Sequence, residues 1–194
     1  TGETVRMVGK IDRVDACREG GKTWLRVVDY KTGSKEFLLE DVRRGLNCQM
    51  LVYLFTLVRN AGDKFENPAP AGVLYLMADP APARADRAEA AQGLDYKVEG
   101  VVVGEPEVLS AMDSAATGLY VPVRFDKAGQ PRLGEALTSV EELAKLQGEL
   151  DDLVVKMAEE LYAGKIAAEP LAAGRKQETH CRFCDYRNVC RRQE

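Results

Sequence analysis

Two β-branched runs, residues 5–16 and 23–29, flank the turn Glu19-Gly20-Gly21-Lys22, and that arrangement commits the front of the chain to a β-hairpin. Alternation is imperfect in the first run, where the Val and Ile content is what favours a strand. The second run, from Thr23 to Asp29, stops at Lys31-Thr32-Gly33. Residues 41–60 then read as one helix. It is apolar on nearly every face (Val42, Leu46, Met50, Leu51, Leu54, Phe55), which predicts burial, with Gly62 as its stop. Residues 72–77 form a short apolar run that returns the chain to the sheet. Strands, a buried helix and a further strand in that order predict a mixed α/β core.

Residues 79–93, rich in Ala and Pro, read as a surface excursion, and strand character resumes over 96–103. A short helix is expected over 107–112. Ser139-Val140-Glu141-Glu142 is a capping box that opens a long amphipathic helix (Leu143, Leu146, Leu150, Leu153, Leu161) ending at Gly164. The expected organisation is a core over residues 1–164 and a cysteine-bearing tail over 165–194.

With 194 residues, 45% of them apolar, and 27 Lys+Arg against 31 Asp+Glu, the composition excludes a disordered chain, a collagen and a coiled coil. No stretch nears the ~18 uninterrupted apolar residues of a membrane span. The start, Thr1-Gly2-Glu3-Thr4, has neither a Met nor a signal pattern and reads as part of something longer. Three of the five cysteines crowd near the C-terminus, the habit of an intracellular metal or cluster site, so the cytoplasm is expected. Charge is uneven. Residues 1–50 hold ten Lys/Arg against eight Asp/Glu, 175–194 hold six against three, and 135–160 hold two against eight. Two basic ends that met in space would offer phosphates a local positive patch.

Asp29-Tyr30-Lys31 ends one strand, and Asp12 lies in the run expected to pair with it. Two carboxylates and an ammonium therefore converge at one sheet edge. Oxygen ligands of this kind suit Mg²⁺ or Mn²⁺, and a neighbouring lysine can orient or deprotonate a water that attacks a phosphodiester. The tripeptide alone carries little weight, because Asp95-Tyr96-Lys97 repeats it without a preceding Asp-bearing strand or a following Thr-Gly turn. Gln49 and Tyr53 add context: four residues apart on an apolar helix, they share one face and place two polar tips where a core helix should be dry.

Met7-x-Gly9-x-x-Asp12, Asp29-Tyr30-Lys31-Thr32-Gly33 and Gln49-x-x-x-Tyr53 resemble, in order, the motifs of RecB-type nucleases of the PD-(D/E)XK superfamily. Residues 9–15, 25–33 and 71–75 and the cysteine tail are similar, within that family, to the nuclease domain of the B subunits of AddAB-type helicase–nucleases. The resemblance implies a restriction-endonuclease-like α/β fold. It implies Asp12, Asp29 and the main-chain carbonyl of Tyr30 as metal ligands, Lys31 as the catalytic lysine, and Gln49 and Tyr53 as supporting site residues. The implied activity is metal-dependent (exo)deoxyribonuclease action on DNA, with a helicase–nuclease A subunit as partner in double-strand-break repair. The family's upstream helical motif, with a His or Glu, has no counterpart in this sequence, so the fragment alone is expected to be weak or inactive.

Cys181-x-x-Cys184-x5-Cys190 supplies three thiols, one short of a closed Zn²⁺ or [4Fe–4S] site, with His180, Cys17 and Cys48 as the fourth candidates in the chain. The resemblance implies that Cys181, Cys184 and Cys190 ligate a [4Fe–4S] cluster whose fourth cysteine lies upstream of the nuclease motifs. That cysteine is absent here, and no intact cluster is expected in this stretch by itself. Two other readings compete: a nuclease-like DNA-binding module without catalysis, and a CRISPR-associated nuclease of Cas4 type. No Gly-x4-Gly-Lys-Ser/Thr pattern occurs, so ATP hydrolysis by a phosphate-binding loop is not expected.

Overall fold

β1 (Arg13–Glu19) and β2 (Lys22–Thr32) form the expected antiparallel hairpin, in register from Arg13 opposite Val28 to Glu19 opposite Lys22. The computed structural model describes residues 2, 4–32, 37–78, 97–132, 134, 136–169, 184–186 and 188–190. Beyond the hairpin come α1 (Leu39–Arg43), α2 (Gln49–Asn60), β3 (Pro68–Ala78), β4 (Lys97–Val103), α3 (Pro106–Met112), β5 (Leu137–Thr138) and α4 (Val140–Tyr162). The five strands lie in the order β1-β2-β3-β4-β5, with β2 parallel to β3, β4 parallel to β5 and the other pairs antiparallel. A parallel pair requires a crossover, and α1 and α2 make it between β2 and β3.

Several boundaries differ from the sequence reading. The first strand begins at Arg13, not Val5; residues 4–12 form no ladder, and Thr4 instead accepts a hydrogen bond through its carbonyl from Tyr162 Oη (3.1 Å) at the end of α4. Cys17 lies within β1 opposite Trp24, not at its end. The single helix expected over 41–60 is two, because Gly45 (φ +83°) and Asn47 (φ +55°) take left-handed conformations that no helix accommodates. Cys48 is consequently the N-cap of α2 and not an interior helix residue. α2 is also less uniformly apolar in place than its sequence suggests, since Gln49, Thr56 and Arg59 are exposed. β5 and the 113–136 segment before it were not anticipated. The excursion over 79–93, and Asp95 and Tyr96, lie outside the described residues.

Alternation along β2 and β3 divides the core. Leu25, Val27, Val73 and Tyr75 face α2 and α4, where Met50, Leu51, Leu54, Leu143, Leu146 and Leu150 close over them. Val28, Leu74 and Val102 face the other way, onto Leu109, Val121 and Val123. Ser139 Oγ accepts from Glu142 N (3.1 Å), as the capping box requires; the Glu142 carboxylate accepts from Thr138 Oγ1 (3.1 Å). Among the described residues no helix is long and apolar enough to cross a membrane.

On the second face, at the hairpin, Asp15 accepts from Arg26 Nη2 (2.6 Å) and Arg13 Nε (2.6 Å). Burial opposes ionisation of Asp15, but these arginine hydrogen bonds outweigh it and hold the carboxyl below the usual range. A depressed native pKa adds stability that is complete above the unfolded value, 3.8, and lost as pH falls through the native one. Denaturation from pH 7 to pH 2 should find Asp15→Asn less stable by about 1–2 kcal/mol at neutral pH, with the gap closing below pH 3.8. A gap that stays constant across that window would contradict the assignment.

β3 carries one extra residue, Ala71, where the register to β2 shifts between Leu25 and Arg26. The next residue, Gly72, sits at φ +144°, and a Cβ there would collide with the Val101 carbonyl oxygen and come within 2.8 Å of Val102 Cα. Both obstacles are backbone, which cannot swing aside. Gly72→Ala should lower unfolding stability by about 2 kcal/mol or more, read by urea titration, and a loss under 0.5 kcal/mol would refute the account.

Candidate active site

Asp29 and Lys31 are two residues apart on β2, so both side chains face α2, while Tyr30 between them points to the opposite face and is exposed. Their side chains form an ion pair, with Asp29 13% and Lys31 30% exposed. Asp29 Oδ2 is shielded from solvent, and the Lys31 ammonium lies close to it but off hydrogen-bond direction, leaving that oxygen without a hydrogen bond. A sheltered carboxylate oxygen without a donor is available to a cation.

Asp12 arrives from the other strand. It is not inside the ladder as expected; it stands one residue before β1. Since Arg13 pairs with Val28, one further step of the same register sets Asp12 opposite Asp29. Its Oδ2 accepts from Tyr30 N at 3.4 Å. The chain therefore brings Asp12, Asp29, Tyr30 and Lys31 to one place. Two carboxylates flanking a peptide unit are hard oxygen donors, and that donor set fits Mg²⁺ or Mn²⁺ better than a softer ion. Among the described residues no group of three or more His, Cys, Asp or Glu gathers as a metal site, so a third protein ligand would be a main-chain oxygen such as that of Tyr30.

Gln49 and Tyr53 are held to each other, Gln49 Nε2 donating to Tyr53 Oη (3.0 Å). Gln49 is exposed, so this is a pair at the rim of α2 and not a polar intrusion into a dry core. Gly9 explains how the irregular N-terminal segment reaches the site. A Cβ on Gly9 would overlap the Tyr53 ring, with Cζ at 2.7 Å, so the glycine lies flat on that ring three residues before Asp12. Gly9, Gln49 and Tyr53 thus belong to one contact.

Tyr75 was read only as a buried strand residue. It stands in register with Asp29, is 1% exposed, and packs its ring on Phe37 with centroids 5.9 Å apart. The Lys31 ammonium lies 5.7 Å from the centroid of the Tyr75 ring, within cation–π range. Burial, then the Asp29 charge, then Cys48 push the Tyr75 hydroxyl up to about 12, so the phenol stays neutral. No spacing rule flags such a residue. The signal was a tyrosine within an otherwise aliphatic strand.

In the tail, Cys184 and Cys190 are free and exposed, and Cys190 N donates to the Tyr186 carbonyl (2.8 Å) in a turn. Gly33, His180 and Cys181 lie outside the described residues.

A five-stranded mixed sheet with helices on it, whose second strand ends in Asp-x-Lys with an acid delivered opposite, is the architecture of a restriction-endonuclease-like nuclease. The sequence profile of the PD-(D/E)XK nuclease superfamily matches residues 1–191, and the chain belongs to that superfamily. Similar curated proteins are ATP-dependent helicase/deoxyribonuclease subunits B. The one from Thermoanaerobacter sp. (strain X514) is 30% identical over 198 residues. Those from Clostridium tetani and Caldanaerobacter subterraneus subsp. tengcongensis are each 32% identical, over 200 and 199 residues. Each match covers 98% of this chain but 17% of the relative, so the chain spans about a sixth of their length.

The Lys31–Tyr75 contact is open to measurement without any assay of activity. The ring current of Tyr75 should shift the Lys31 ε-methylene protons upfield, a shift kept in Tyr75→Phe and abolished in Tyr75→Leu. Identical Lys31 spectra in the two variants would remove Tyr75 from the site.

Proposed function

We propose that this chain is the metal-dependent deoxyribonuclease unit of a helicase–nuclease complex that trims double-strand DNA ends for recombinational repair. The observation that carries the reading is the placement of Asp12 opposite Asp29, beside Lys31, at one sheet edge. Membership of a nuclease superfamily and the names of the relatives support it. By analogy with those relatives, the partners are DNA and a helicase–nuclease A subunit, and the setting is the cytoplasm.

Asp12, Asp29 and the main-chain carbonyl of Tyr30 would hold Mg²⁺ or Mn²⁺. When bound, such an ion polarises the scissile phosphate and offsets the charge that develops on it. The chain's own residues do the rest. Lys31, fixed between the Asp29 carboxylate and the Tyr75 ring, orients the attacking water and takes or returns its proton. The water oxygen bonds to phosphorus as the bond to the leaving oxygen breaks, leaving a phosphate monoester and a hydroxyl. Gln49 and Tyr53 brace the segment that delivers Asp12, and their polar tips face the strand being cut. Cys181, Cys184 and Cys190 supply three thiolates for a [4Fe–4S] cluster that is structural in this reading, completed by a ligand this sequence lacks, and no step of hydrolysis uses them.

The test is cleavage of end-labelled single-stranded DNA in Mg²⁺ and in Mn²⁺, with the helicase subunit present, alongside Mn²⁺ titration of the chain by electron paramagnetic resonance. Asp29→Ala should lose both Mn²⁺ uptake and cleavage while still binding DNA. Lys31→Ala should keep the metal and cleave about 10²–10⁴-fold more slowly. Undiminished cleavage by Asp29→Ala would sink the enzyme reading and favour a DNA-binding module without catalysis.

A further inference from the structure

The segment between α3 and β5 holds a feature that the nuclease site does not use. Residues 124–132 fold into a small hairpin: Phe125 bridges Pro131 in antiparallel fashion, Asp126 N donates to the Gln130 carbonyl (2.9 Å), and Arg132 N donates to the Arg124 carbonyl (2.8 Å). Arg124 and Arg132 are therefore directly opposite each other and project from the same side. Like charges in that relation repel, and a fold without a use for them places an acid at one of the two positions. No carboxylate among the described residues forms an ion pair with either arginine. The acid that feels Arg132 is Asp126, but its Oδ1 already accepts from Ala128 N (2.8 Å) and Gln130 N (2.9 Å) at the hairpin turn.

Both arginines are exposed and line a cavity of about 360 Å³, whose other walls are Pro122, Gly134, Ala136 and Leu137. That space accommodates a phosphate group with its substituents. The hairpin is not loosely attached. Val121 and Val123, just before it, are buried against Val28 and Leu74 of β2 and β3, and Leu137, just after it, pairs with Val102 of β4. A rigid pair of guanidiniums around an open cavity matches the fork geometry by which arginine binds phosphate.

We propose that Arg124 and Arg132 form a clamp for backbone phosphates of single-stranded DNA, separate from the catalytic centre. β5 lies three strands from β2, on the order of 15 Å across the sheet, so the clamp holds the strand away from the scissile bond. The anion site stands on the arginines and the cavity; its assignment to a DNA strand rests on the nuclease reading.

The experiment is fluorescence anisotropy of a labelled single-stranded oligonucleotide, in EDTA to prevent cleavage, over a range of NaCl concentrations. For Arg124→Ala/Arg132→Ala the slope of log K against log salt should fall by about 1.4, the release expected for two single-strand phosphates. Arg124→Lys/Arg132→Lys, which keeps the charge, should preserve most of the slope, and thermal melts check that both variants fold. An unchanged slope in the alanine variant, or a wild type that binds no oligonucleotide, overturns the clamp. Should the wild type cleave DNA while the slopes agree, the clamp fails and the nuclease reading stands. Should it bind with the expected slope difference yet cut nothing, the clamp stands and the nuclease reading fails.

Discussion

The parallel pairing of β2 with β3 is the constraint on which the rest of the molecule depends. Two adjacent parallel strands cannot be joined by a turn, so the chain must travel the length of the sheet between them, and here it does so through α1 and α2. That crossover lays α2 over the face to which Val27, Asp29 and Lys31 point. The burial of Leu51, Leu54 and Phe55 against the sheet fixes the rotation of α2, and this rotation brings Tyr53 to its rim beneath Gly9. Without the crossover, Asp29 and Lys31 would lie on an open strand end, where an ion pair contributes little and organises nothing.

The site reconciles two opposing requirements. A carboxylate that is to hold a cation must be kept from spending its oxygens on protein donors, yet an unpaired buried carboxylate is costly. Here Asp29 is partly buried, Lys31 supplies compensating charge without a directed hydrogen bond to the sheltered oxygen, and the Tyr75 ring interacts favourably with the same ammonium. Asp12 stays exposed and is positioned by a long contact to Tyr30 N. One acid is thus fixed by burial and the other by the backbone around it, and the two need not be desolvated together.

How much of this was legible in the sequence follows from the range of each interaction. The hairpin, β4, α3, α4 and the return to the sheet at β3 were readable because turn chemistry, capping and apolar periodicity are local. The failures share one cause. Val5 to Ile11 have strand composition, but strand identity depends on a partner, and none faces this segment; it packs on Tyr53 and Tyr162 instead. The helix over 41–60 broke where Gly45 and Asn47 turn left-handed, a weak signal beneath a strongly apolar pattern. Asp12, Asp29 and Lys31 were found by motif, and their convergence follows from hairpin register alone. Tyr75 was missed because its importance lies in pairing with Asp29 across a parallel ladder, which no spacing along the chain encodes.

The same separation of local from distant information explains the division of labour across the sheet. The face toward α2 carries the acids, the lysine and most of the large core, so its geometry is fixed by many contacts at once. The opposite face has a smaller core around Val28, Leu74 and Val102, and its polar groups are arginines: Arg13 and Arg26 at the hairpin, Arg124 and Arg132 beyond α3. The two pairs are not equivalent. Asp15 neutralises much of the first and uses it to tie β1 to β2, while no described acid is ion-paired to the second. Strand β2 links the two faces, because residues alternate along it between catalytic groups and the packing that anchors the arginine hairpin. A polyanion held on one face would then be held by the same strand that places Asp29 on the other.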